Sequence, residues 1–244
     1  MEELSRVISY SLQFYTERLK ILVLFSIPFL LAFAMLSFVA APTYQALGGL
    51  FSRTGSIPEL TPADIIVIAI AYVLSFFIIA DVITNVNLII RSRRTLNITT
   101  SEVVAAMGRY AVRIFYIYTI MLLLIFIAQL VLYDNPLKAW LFPLFTLALS
   151  FLLFFVAPAV VIDEEDTAGA ITKSVGMALR KPGFVLAWAA IGLAALSVLK
   201  VLSDLVLPHT VSPYVVFFFN SIFVLPFLIV LQTQMYMEKY PLAR

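Results

Sequence analysis

The chain has no cysteine and one histidine, His209. The first absence excludes disulfides and thiolate-held metal. The second leaves His209, between Pro208 and Pro213, without the companions a zinc site of three or four ligands needs, so it reads as an ordinary loop residue. Charge is scarce as well. Charged residues make up 12% of the 244 positions and apolar residues 63%, with a net charge of +2; soluble domains carry about 25% charged residues. So little polar surface cannot cover a water-soluble core, and the composition implies lipid as the main solvent. Basic residues scattered over short loops offer no continuous run for nucleic acid. The first twenty residues, MEELSRVISYSLQFYTERLK, lack the apolar stretch of a cleaved signal, so the first span is expected to act as an uncleaved insertion signal. Catalytic signatures are missing too. There is no Walker loop, no HExxH, no GxSxG and no paired Gly-Asp motif of intramembrane aspartyl proteases. With no nucleophile–base pair in sequence, the chain reads as non-enzymatic, without cofactor or metal.

What the sequence does have is long apolar runs. Six are long enough to cross the hydrocarbon: 20–47, 63–90, 113–133, 137–161, 183–206 and 213–236. Runs such as ILVLFSIPFLLAF and VVFFFNSIFVLPFLIVL lack the alternation of barrel strands, and helices satisfy their own backbone in lipid. The expected class is an all-α integral membrane protein with one domain, 1–244. With six spans, thirteen basic residues fall on one side: Arg6, Arg18, Lys20, Arg91, Arg93, Arg94, Arg109, Arg113, Lys173, Arg180, Lys181, Lys239 and Arg244. Three fall towards the other: Arg53, Lys138 and Lys200. That bias predicts a multi-pass protein of the cell membrane with both termini in the cytoplasm.

Three amphipathic segments lie on the predicted cytoplasmic side. Residues 3–20 put Leu4, Ile8, Leu12, Tyr15 and Leu19 on one stripe, with Arg6, Gln13, Glu17 and Lys20 elsewhere. Thr99 and Glu102 form a capping-box pattern before a helix over 100–112 that leads into the third span without a break; in it Val103, Met107, Tyr110 and Ile114 oppose Glu102, Ala106, Arg109 and Arg113. Asp163, Glu164, Glu165 and Asp166 open the third, where a helix dipole favours negative charge. Its apolar stripe is Ile171, Val175, Ala178 and Pro182, with Lys173, Arg180 and Lys181 basic. The chain thus reads as three pseudo-repeats, 1–96, 97–164 and 165–244, each an interfacial amphipathic helix followed by a two-span hairpin. Such patterns are weakly specific, and a six-span chain with basic loops can show them without any repeat.

Four sets of polar residues are candidates for a site. Asp81, Thr84, Asn85 and Asn87 form the most polar patch inside a span, with Asp81 about 15 Å along the helix from Arg91. A carboxylate at that depth costs about 2.5–3.5 kcal/mol unless paired, protonated or wet. The patch is either an ion, proton or headgroup site or a helix-to-helix hydrogen-bond cluster, and such glue is common. Lys200 and Asp204, at i and i+4 in the fifth span, are expected to neutralise each other. Arg91, Arg93, Arg94, Arg109, Arg113, Lys173, Arg180 and Lys181 are expected to contact anionic lipid headgroups. The acidic run 163–166 lacks the spaced, glycine-containing loop of a calcium site and reads as a helix cap facing water. Gln129, Asn220, Ser221 and Gln232 are isolated polar residues expected to bridge helices.

One stretch carries a resemblance. Pro158, the acidic Asp163–Glu165, Ala170, Ser174 and the basic pair Arg180-Lys181 before an apolar span resemble a recurring segment of one group. That group is the membrane domain attached to some glycerophosphodiester phosphodiesterases, with related stand-alone six-span membrane proteins of unknown role. The resemblance covers residues 158–188, and the rest only by span layout; Val175 stands where an aromatic often follows the serine. It implies six spans. The phosphodiesterase barrel of the fused members is missing from this sequence, so no catalytic residue carries over.

Two functions follow as expectations. One is a lipid-phase role, binding or moving a lipid or small solute or organising the membrane, with membrane lipids as partners. The other is the permease subunit of an ATP-driven exporter, whose 99–112 helix would dock on a separate ATPase. A homo-oligomer is compatible with either, and no nucleic-acid partner is expected.

Overall fold

Every backbone polar group in hydrocarbon needs a partner, and a helix supplies one from its own segment. The computed structural model describes residues 2–36, 61–92 and 100–238, and the side chains of these except 2 and 100–107. Among the described residues the chain is helical and has no strand. The helices are α1 (Glu2–Glu17), α2 (Leu19–Ala34), α3 (Pro62–Ser92), α4 (Thr100–Val131), α5 (Lys138–Leu152) and α6 (Val156–Ile162). They continue with α7 (Thr167–Arg180), α8 (Pro182–Val206), α9 (Ser212–Phe219), a π-helical turn (Asn220–Val224) and α10 (Leu225–Met237). Five stretches among the described residues are long and apolar enough to cross a membrane: Pro62–Ser92, Gly108–Val131, Lys138–Ile162, Pro182–Val206 and Ser212–Met237. The chain is therefore a membrane-integral helical protein. Expectations for 37–60, including the end of the first span and Arg53, lie outside the described residues. So do those for Arg93, Arg94, Thr99, Lys239 and Arg244, and for the side chains of Glu102, Val103, Ala106 and Met107.

The prolines shape the spans. Pro226 has no N–H and its ring crowds the preceding turn, and the widened π turn Asn220–Val224 sits immediately before it. Phe223 O then accepts from the Tyr15 hydroxyl at 3.0 Å. Pro158 acts on the fourth span, which is two helices, α5 and α6, separated by a turn at 153–155.

Packing concentrates at one end of the molecule. Residues 82–88 of α3 are all buried, enclosed by α2, α4, α6 and α10, which pack on that helix. Phe155–Val161 and Leu228–Val230 are buried as well. We call this the closed end. Towards the open end α5 buries none of its residues; Trp140 is 79% and Leu205 77% exposed, as a lipid-facing surface requires. Gly192 lies where an added Cβ would be 3.2 Å from Leu228 Cδ1, and the Trp188 indole donates to Leu228 O at 2.7 Å. A small residue brings α8 against α10 there, as is usual in lipid.

The amphipathic segments differ from expectation in which face they bury. In α1 the fully buried residues are Val7, Ser11 and Phe14, because the helix packs along α10; of the expected stripe Leu4, Ile8 and Tyr15 are half-buried against the core and Leu12 is exposed. Residues 100–112 lead into the third span without a break, as expected: α4 is one helix, with Tyr110 and Ile114 buried as the stripe predicts. In α7 the buried set is Ala170, Ser174, Met177 and Ala178, while Val175 is half-buried and Pro182 exposed. That set lies one step round from the predicted stripe because the small residues face α6, the element α7 packs on most closely.

Candidate functional site

The closed end is organised around the break in the fourth span. Pro158 lacks the N–H that would reach Phe154 O in a continuous helix. That carbonyl accepts instead from the Gln232 side chain of α10. The turn also leaves Leu152 O and Phe155 N outside the helix ladder, and one hydroxyl takes both. Ser174 Oγ donates to Leu152 O at 2.8 Å and accepts from Phe155 N at 2.9 Å. Ser174 is fully buried, with Ala170 and Ala178 one turn to either side, so α7 comes close enough to splice the break. Irregular backbone at membrane depth survives only where protein satisfies it.

Around this joint the charged residues are tied to each other. Arg91 donates to Val161 O at 2.9 Å, to the Tyr110 hydroxyl at 3.1 Å and to Glu164. Arg113 donates to Glu165 O at 2.9 Å. Lys173 pairs with Glu165 at 2.6 Å and with Asp163 at 2.9 Å, and Lys181 with Glu3 at 3.1 Å. The acidic run thus has divided duties. Asp166 is the N-cap of α7, accepting from Gly169 N at 2.8 Å. Asp163 does not face water as expected: its side chain is 2% exposed and also accepts from Tyr236 at 2.8 Å, because α10 covers it. Glu164 has φ 58, a left-handed backbone costing a non-glycine residue about 1–2 kcal/mol. Its bond to Arg91 holds it there.

These contacts set the protonation of the groups outside the spans. The Arg91 guanidinium holds the Glu164 carboxyl below the ordinary glutamate range. The Glu165 and then the Asp163 carboxylates raise Lys173, and Lys181 lowers Glu3.

Of the residues expected to meet headgroups, Arg91, Arg113, Lys173 and Lys181 are therefore engaged within the protein. Arg109 is exposed, its guanidinium 5.6 Å from the Tyr110 ring centroid. Arg180 is exposed and has no carboxylate partner among the described residues. It lines a cleft of about 570 Å³ on the uncovered side of α7, with Thr172, Lys173, Gly176, Met177 and Lys181.

The intramembrane patch on α3 divides. Asp81, half-buried, accepts from Asn85 Nδ2 at 3.1 Å. Thr84 folds back on Ala80 O at 2.8 Å. Asn87 reaches the other way, to Thr233 of α10: its Oδ1 accepts from the threonine hydroxyl at 2.7 Å while its Nδ2 donates to Ile83 O. Asn87 is thus helix glue, and Asn85 Oδ1 is buried with no hydrogen-bond partner. At the open end Lys200 holds both oxygens of Asp204, which also accepts from Ser212 at the start of α9. Ser221 bonds Phe217 O in its own helix, so of the isolated polar residues it is Gln232 that bridges. His209 is exposed in its loop. No cluster of three or more potential metal ligands occurs among the described residues.

Gln232 bridges helices as expected, but its target, Phe154 O, and the splice by Ser174 were not foreseen from the sequence. Pro158 was the available signal, since it predicts an orphaned carbonyl four residues earlier that some donor must meet. No family model, curated protein or solved structure matches this chain.

Proposed function

We propose that this chain is a non-enzymatic membrane protein of six spans in three hairpins, with its closed end and both termini on the cytoplasmic face, acting in the lipid phase. The carrying observation is the α7 cleft. It presents the exposed Arg180 beside Lys181 and Thr172, with Met177 on its apolar wall, a combination suited to an anionic headgroup and the start of its acyl chain. The basic residues of the closed end support its cytoplasmic placement. The likeness of residues 158–188 to the membrane domain of glycerophosphodiester phosphodiesterases fits the same reading, because Pro158, Ala170 and Ser174 build the joint that presents the cleft.

The test uses the full-length protein in mixed bilayers, read by the anionic lipid retained on purification. One arginine near a membrane surface contributes about 1 kcal/mol, so Arg180→Gln should lower retention of phosphatidylglycerol over phosphatidylcholine about fivefold. Equal retention of both lipids by the unaltered protein would overturn the reading. Stoichiometric co-purification of an ATPase would replace it with the exporter-subunit alternative.

A further inference from the structure

Asp81 and Asn85 form an incomplete pair. A protonated carboxylic acid and a primary amide can join through two parallel hydrogen bonds: the amide N–H donates to the acid carbonyl, and the acid O–H donates to the amide oxygen. Half of that arrangement is already present. Asn85 Nδ2 donates to Asp81 Oδ2 at 3.1 Å, while Asn85 Oδ1 is buried and has no donor. Asn85 is 6% exposed, and an acceptor left unpaired at that burial is costly. A proton on Asp81 Oδ1 would supply the missing donor and remove the charge from the span in one step.

The surroundings offer the carboxylate no other compensation. Asn85 is its one side-chain partner, and it has no ion pair among the described residues. Four elements pack on α3. Of these, α6 has no titratable residue, and α2 has Lys20 in its first turn. On α4, Arg113 is held by Glu165 O, Tyr110 by Arg91, and Arg109 lies over Tyr110; Tyr116 and Tyr118 stand further along. On α10, Tyr236 bonds Asp163.

We infer that Asp81 is a proton-binding site within the membrane, the proton held in a two-point acid–amide pair with Asn85. The bound species is the neutral acid. Losing the proton restores the one-bond state and a half-buried negative charge.

Infrared difference spectroscopy of the full chain in nanodiscs tests this at neutral pH. The expected result is a protonated-carboxyl band that disappears in Asp81→Asn and shifts in Asn85→Ala, where the amide partner is gone. Asn85→Ser serves if the alanine variant does not fold. Because an asparagine at 81 reproduces the donor and acceptor of the neutral acid, Asp81→Asn should unfold at the same midpoint as the parent. Absence of the band, or a band unmoved by the Asn85 variants, would overturn the proposal. So would a band that vanishes on adding sodium at constant pH, since the site would then belong to a metal cation.

Discussion

The two ends of this molecule solve the same problem differently. At the closed end, residues 82–88 of α3 are buried on every side, and carbonyls displaced by Pro158 and its turn are met by Gln232 and Ser174 from separate helices. At the open end α5 buries nothing, and polar groups find partners close in sequence: Lys200 with Asp204, Asn135 Oδ1 with Leu137 N. Lipid tails are as apolar as leucine, so apolar residues alone give helices little reason to associate. The chain packs where it has hydroxyls, amides, freed carbonyls and small residues to engage. It leaves its surface to lipid where leucine, valine and phenylalanine dominate.

Substitutions can break that contrast. The largest effect should come from Leu231→Ala, at a site with 0% exposure, which should destabilise by about 2–5 kcal/mol. Leu205→Ala, at 77% exposure, should stay within about 0.5 kcal/mol. Reversible unfolding in mixed micelles measures both, and equal losses would mean the open end is covered. Next, Ser174→Ala leaves the buried Phe155 N–H without its acceptor, at about 1–3 kcal/mol, and the part-buried Leu152 carbonyl without its donor. Amide exchange at Phe155 should rise with it. The same change at exposed Thr172 should leave that amide protected.

The smallest effect concerns acid. Arg91 holds the Glu164 carboxyl low in the folded protein, so its contribution is present above the ordinary glutamate value and is lost as pH falls through the lowered one. Glu164→Gln should remove that slope of the unfolding midpoint between about pH 6 and pH 3. At higher pH it should cost no more than about 1 kcal/mol, since the pair is partly exposed. An unchanged slope would assign the acid response to other carboxylates at this end.

Much of the helical layout was legible in the sequence, because span length and hydropathy are summed properties that survive local error. The described spans end within a few residues of their predicted bounds, and the third continues from its preceding helix as expected. Faces were harder. On α1 the stripe of Leu4, Ile8 and Leu12 competed with Val7, Ser11 and Phe14, and contact with α10 selected the second. On α7 the hydrophobic residues Ile171 and Val175 drew attention from Ala170, Ser174 and Ala178, whose small size allows the close approach to α6. Of the candidate patch, the spacing puts Asp81 and Asn85 on one helix face, and the structure pairs them. That Asn87 turns to Thr233 was not legible there, since it depends on a helix 146 residues away.

One contact described above also bears on how the molecule is made. Tyr15 on the first helix bonds Phe223 O, 208 residues later in the chain, and α1 lies along α10. During synthesis the face of Val7, Ser11 and Phe14 emerges long before the helix that covers it. That face must therefore wait at the membrane, its ribosome still translating, until α10 arrives to cover it. Contacts of such sequence separation are slow to form and leave intermediates exposed. Assembly of the closed end is thus a late and concerted event, and α1 is the element most vulnerable to capture by other partners while it waits.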